Sequence, residues 1–292
     1  MLTCVYEPES AKIAVRRNEG ITVMKSILVP VDQSDAMPSV LACAALLAKR
    51  FDSILEGAAL RPVHVEIVAP DPIVAVTFPP ADWNDAEFVG KVRSRFESHF
   101  KDMPGVRYRW RAGPSVDDAE LGSLARVFDA TVVGRPASNG RGPRMTTLES
   151  ALFESGQPIL VAPPEPPATM GENILVSWNC STEQAHATAS AMPLLKQAKT
   201  VTILTIEGLV VAGPSGQEAQ NWLAANGVNA REISIGNEGR KPGEVLLAEA
   251  QKIGADLIIK GAYTQSRLRQ MIFGGATSHL LANSTLPMLM AR

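Results

Sequence analysis

The sequence predicts an α/β protein built as two tandem doubly wound parallel-sheet domains of five strands each. Short apolar strands alternate with helix-length segments along the chain, the pattern of a parallel sheet covered on both faces. The two halves also open and close on the same motifs, which marks an internal repeat. Ile27-Leu28-Val29-Pro30-Val31-Asp32-Gln33-Ser34 parallels Ile174-Leu175-Val176-Ser177-Trp178-Asn179-Cys180-Ser181. Asp129 to Gly134 parallels Asp256 to Gly261, and Pro158-Ile-Leu-Val-Ala162 parallels Pro287-Met-Leu-Met-Ala291. Finally, four prolines in Pro163-Pro-Glu-Pro-Pro167 form a stiff, extended spacer between the halves.

The elements follow in order. In the first half, strands fall near 26–31, 54–60, 106–111, 130–134 and 158–162, and helices near 35–51, 82–101, 115–128 and 145–155. In the second half, strands fall near 173–178, 200–206, 229–235, 256–260 and 287–291, and helices near 181–197, 215–226, 242–253 and 275–283. Ser34 and Ser181 are read as helix N-caps, because a hydroxyl can accept a free N–H of the first turn. Trp83, Phe88, Val92, Phe96 and Phe100 recur at helical spacing and predict a core face, as do Trp222 and Leu223. The expected domains are 24–162 and 172–292, joined by the linker 163–171. Residues 1–23 match neither period for long, and read as a loose tail or as sequence before a true start at Met24.

Composition removes several classes. The 292 residues carry 28 Lys+Arg against 30 Asp+Glu, a net charge of -2, which argues against nucleic-acid binding through a basic surface. The longest apolar run, Val40 to Ala48, is half the roughly 18 residues that span a bilayer, so no membrane role is expected. Cys4, Cys43 and Cys180 form no CxxC, which disfavours disulfides and structural zinc and suits a cytoplasmic setting. His64, His99, His186 and His279 form no metal-binding or catalytic cluster. Neither a GxSxG elbow nor a GxxxxGK[ST] loop is present.

Ligands of wound sheets bind at the carboxyl ends of the strands, which puts Asp32, Gly134, Asn179 and Gly261 on binding rims. The segment Gly261-Ala-Tyr-Thr264-Gln-Ser266-Arg267-Leu-Arg269-Gln-Met-Ile-Phe-Gly274-Gly275-Ala-Thr277 carries the strongest signal. A glycine ends a strand, arginines follow, and a glycine pair opens a helix whose free N–H groups suit phosphate. Arg267 and Arg269 add charge-assisted donors.

In these motifs the chain, from about Met24 to Arg292, resembles the universal stress protein family in its tandem bacterial form. The resemblance implies an adenine nucleotide alpha hydrolase-like fold with strand order 3-2-1-4-5 in each half. It also implies pairing of 158–162 against 287–291, two apolar edges that would be sticky if left open. It implies an adenine nucleotide, ATP, ADP or AMP, with magnesium accompanying ATP. The second half then places Asn179 at the ribose, and Gly261, Gly274, Gly275 and Thr277 at the phosphates, with Ser266 and Arg267 beside them. Thr264 stands where the family motif has its middle glycine, and Asn179 where it has aspartate. The first half keeps Asp32 but lacks the glycine pair; Arg135, Arg141 and Arg144 either grip an anion or lie in a solvated loop. One degraded site in the second half is the expectation. The functional reading is a non-enzymatic stress-response protein that meets a protein partner, as a domain pair or a homodimer. The alternatives are a slow ATPase or phosphotransferase and an interaction module with vestigial sites.

Overall fold

The computed structural model describes residues 24–62, 64–70, 73–78, 83–137, 142–262 and 275–292. Residues 1–23 lie outside this range, and the reading of them as a tail with them. The first half contains β1 (Ser26–Val31), α1 (Met37–Phe51), β2 (Ile54–Ala59), β3 (His64–Pro70), β4 (Ile73–Phe78) and α2 (Asp85–Phe100). It continues with β5 (Arg107–Trp110), α3 (Asp118–Leu124), β6 (Ala130–Gly134), α4 (Met145–Glu154) and β7 (Ile159–Ala162). The second half contains β8 (Asn173–Trp178), α5 (Thr182–Ser190), α6 (Met192–Leu195), β9 (Thr200–Ile206), α7 (Gly216–Ala225) and β10 (Ala230–Ile235). It ends with α8 (Pro242–Lys252), β11 (Leu257–Gly261), α9 (Gly275–Asn283) and β12 (Met288–Ala291).

Ten strands form one continuous sheet in the order β10-β9-β8-β11-β12-β7-β6-β1-β2-β5. Each half therefore has the order 3-2-1-4-5, all parallel within itself. The expected two sheets are a single sheet because β7 and β12 pair antiparallel, with Leu160 opposite Leu289. This pairing consumes both apolar edges. It also reverses strand direction at the junction, so the carboxyl ends of the two halves face opposite edges of the sheet.

The core runs through the junction on both faces. On one face Leu160, Ala162, Leu289 and Ala291 pack in one cluster with residues of α1, α2, α5, α6 and α7. On the other, Ile159, Val161, Met288 and Met290 pack with α4, α8 and α9. Alternation along each four-residue strand sends neighbours to opposite faces, and both faces are apolar because both are covered. The helix α2 buries Phe88, Val92, Phe96 and Phe100, the stripe that its spacing predicts.

Three differences from the sequence reading have local causes. The hairpin of β3 and β4, antiparallel and outside the main sheet, is an insertion between β2 and α2. The helix expected over 181–197 breaks into α5 and α6, because Pro193 starts a new turn and donates no backbone hydrogen bond. Ser181 does cap α5, accepting from Gln184 N at 3.1 Å. Ser34 does not cap α1: the helix starts at Met37 with Ala36 as its N-cap, and the Ser34 carbonyl accepts from Met37 N at 3.3 Å.

Candidate functional site

The second-half rim is built by β8, β11 and the first turns of α5 and α9. β8 and β11 are neighbouring parallel strands, with Val176 beside Ile259, so the chain leaves both at the same edge. Asn179 follows β8 directly and folds into a tight turn. Its Oδ1 accepts from Ser181 N at 3.3 Å and from Ser181 Oγ at 2.8 Å. Cys180, between them, takes φ of 66°. The loop after β9 lies over this turn: Val211 N donates to the Asn179 carbonyl at 3.1 Å. A Cβ on Gly213 would stand 2.2 Å from the Cys180 carbonyl oxygen, so only glycine fits there.

Gly261 has a packing role that the motif reading did not include. A Cβ there would stand 2.4 Å from Gln184 N and 2.6 Å from Gln184 Cα, so the glycine admits the first turn of α5 against the end of β11. Its N–H donates to Gln184 Oε1 at 2.7 Å. Gly275 differs: among the described residues, nothing lies within 4 Å of a Cβ built on it, and it is exposed at the start of α9. Thr277, two residues on, is buried. Thr264, Ser266, Arg267 and Gly274 lie outside the described residues.

Lys260 is the feature that sequence reading missed. It precedes the motif glycine and is 6% exposed. Its Nζ donates to the Gly261 carbonyl at 3.0 Å. Burial pushes its pKa down to about 8, opposed by the charge of Glu183. Glu183 Oε2 is itself buried with no hydrogen-bond partner among the described residues. The available signal was one charged residue ending an apolar run, Leu257-Ile-Ile-Lys260.

The first-half rim is closed. A Cβ on Gly134 would stand 2.4 Å from Pro143 Cγ and 3.3 Å from Val40 Cγ2. Pro143 thus lies on the strand-ending glycine, and its carbonyl accepts from Ala137 N at 3.2 Å. Asp32 keeps the place that the repeat assigns it, with Oδ1 accepting from Ser34 N at 2.9 Å. It stands on the opposite edge from Asn179, so the two residues do not share a site.

The arginines read as possible anion ligands have internal partners. Arg144 donates to Asp118 at 2.8 and 3.3 Å, and Thr146 and Thr147 hydroxyls donate to the same carboxylate at 2.6 Å each. Burial raises the Asp118 pKa, but these hydrogen bonds and the Arg144 charge outweigh it and hold the carboxyl below its ordinary value. The anion at the first turn of α4 is therefore the protein's own. Arg135 reaches across the junction and donates to the Ser284 carbonyl at 2.7 Å. Arg141 lies outside the described residues. Among those residues no cluster of three or more His, Cys, Asp or Glu side chains suits a metal, and no helix is long and apolar enough to cross a membrane.

The fold defines a class: a tandem doubly wound α/β protein. A universal stress protein from Archaeoglobus fulgidus superposes with a TM-score of 0.66 at 14% identity, over 91% of this chain and 96% of that one. A functionally unknown protein from Pseudomonas aeruginosa superposes with a TM-score of 0.52 at 14% identity, over 92% of each chain. At such identities these likenesses speak for the fold alone. In sequence, residues 217–292 match the model of the universal stress protein family. A stretch of 51 residues is 37% identical to the stress response protein NhaX of Bacillus subtilis, spanning 18% of this chain and 31% of that protein. Residues 217–292 thus resemble a universal stress protein domain, and the tandem fold of the whole chain is similar to that of the solved structures.

Proposed function

We propose that the chain is a non-enzymatic stress-response and signalling protein of the cytoplasm. In this reading it binds an adenine nucleotide at the carboxyl edge of its second half and passes the bound state to a protein partner. The observation that supports it most is that, among the described residues, nothing lies within 4 Å of a Cβ built on Gly275, on the first turn of α9 and on the same edge as Asn179. A helix start flanked by glycine leaves room and N–H donors for a phosphate. In this reading Asn179, whose Oδ1 is held by Ser181, stands at the ribose. Magnesium would accompany ATP by holding its phosphates.

The test is calorimetric titration of freshly purified protein with ATP, ADP and AMP, after chromatography of the heat-released supernatant for co-purified nucleotide. Gly275→Asp should abolish binding by placing a carboxylate at the phosphate position. Asp at a helix start favours the helix, so the fold should survive. Unchanged affinity in this variant would remove the assignment. Two facts favour the second reading, an interaction module with a vestigial site: the Gly261 N–H is already bonded to Gln184, and Thr264 replaces the middle glycine. No nucleotide and no heat with any of the three would support it. Mg²⁺-dependent turnover lost on mutation of Gly275 would instead favour a slow ATPase or phosphotransferase.

A further inference from the structure

A cleft of about 420 Å³ opens between α5 and α7, on a helical face of the second half, and its Trp178 and Pro214 walls adjoin the Asn179 turn. Ala185 and Ala189, one turn apart on α5, leave it open, since larger side chains there would fill it. Trp178, at the end of β8, forms a fixed inner wall: it is 4% exposed, and its Nε1 donates to the Pro214 carbonyl at 2.8 Å. Trp222, on α7, forms the outer lip and is 39% exposed. The helical spacing of Trp222 and Leu223 predicted that both were core; only Leu223 is, at 0%. The matching helix of the first half, α2, carries buried Phe96 and Phe100.

One carboxylate lines this apolar space. Glu218 lies one turn before Trp222, on the same side of α7. Its Oε2 accepts from Ser215 N at 2.8 Å and Ser215 Oγ at 2.9 Å, which fixes the group and holds it below the ordinary carboxyl pKa. Across from it, His186 is occupied: its Nδ1–H donates to the Arg292 carbonyl. A volume of this size suits a small molecule. Two indole rings attract a flat body and a positive charge, and a fixed anion adds to that attraction.

We propose that the cleft between Trp178 and Trp222 binds a small organic cation with a flat aromatic body, its positive charge beside Glu218. The probes are N-methylquinolinium and quinoline, which share a shape and differ in charge at pH 7.5. Binding is read by tryptophan fluorescence and calorimetry. The cation should bind about fivefold more tightly than quinoline, and Glu218→Gln should erase that difference while leaving quinoline unchanged. Trp222→Ala should weaken both probes about tenfold or more. Ala189→Leu should block both while leaving Trp222 in place, with circular dichroism reporting the fold of each variant. Absence of binding by both probes, or affinities unmoved in Trp222→Ala and Ala189→Leu, would overturn the proposal. So would a stable dimer that Trp222→Ala converts to monomer, since the cleft would then belong to a second copy of the chain.

Discussion

The two rims start from one plan and end in opposite states. In the first half, Val133 and Gly134 close β6, Pro143 lies on the glycine, and Asp118 supplies a resident anion to the first turn of α4. In the second half, Lys260 and Gly261 close β11, a positive charge is buried, and among the described residues nothing lies against Gly275 at the helix start. A rim that satisfies its own charges has no need of a ligand. The second rim instead holds its ammonium against the Gly261 carbonyl and the charge of Glu183. The comparison also separates two kinds of glycine: Gly134 and Gly261 make room for the protein itself, whereas Gly275 makes room for nothing described.

Four substitutions test this contrast. Gly261→Ala should have the largest effect, a loss of about 3 kcal/mol or more in urea unfolding, because backbone of α5 stands in the way of its methyl group. A loss under about 1 kcal/mol would show that α5 yields easily, and Gly261 would return to the ligand-facing group.

Asp118→Ala should cost about 2 kcal/mol at pH 7, since it leaves Arg144 partly buried and removes the acceptor of the buried Thr147 hydroxyl. The Asp118 pKa is lowered in the folded state, so its contribution is present above the ordinary aspartate range and is lost as pH falls through the folded value. Acid titration should therefore narrow the gap between this variant and the parent.

Lys260→Met should work the other way and stabilise by about 2 kcal/mol at pH 7. Here the folded pKa, about 8, lies below the unfolded 10.5. The folded state therefore gives up its proton first, and stability rises with pH between those values. The parent should gain stability across that window and the Met variant should not, so the advantage should vanish above about pH 10.5. A parent curve that is flat there would mean that Lys260 keeps its proton. Last, Gly275→Ala should change stability by under about 0.5 kcal/mol, because the position is open and alanine is a good helix former.

Most of the architecture was legible because the strands are short apolar runs with both faces buried, and their limits coincide with Gly, Pro and Asp punctuation. The junction was expected from the family resemblance, and its physical reason is that two strands as apolar as 159–162 and 288–291 need cover. The hairpin was missed although Asp71-Pro72 separates two runs rich in Val and Ile, an ordinary turn signal. The Asp118 cluster had no such signal, since α3 and α4 meet only in the folded chain. Trp222 and Leu223 are neighbours in sequence with opposite fates, because a helix rotates about 100° per residue and the core covers only one of those directions.

The antiparallel seam between β7 and β12 has a consequence for descent as well as for shape. Two identical subunits joined along such a seam would share one gene, and any change at one rim would be copied to the other. Here the seam lies within a single polypeptide, and each flank has its own codons. The first half can lose its opening and still hold the second half in place, which leaves the second free to specialise. Dilution does not part them, so this division of labour needs no minimum concentration in the cell.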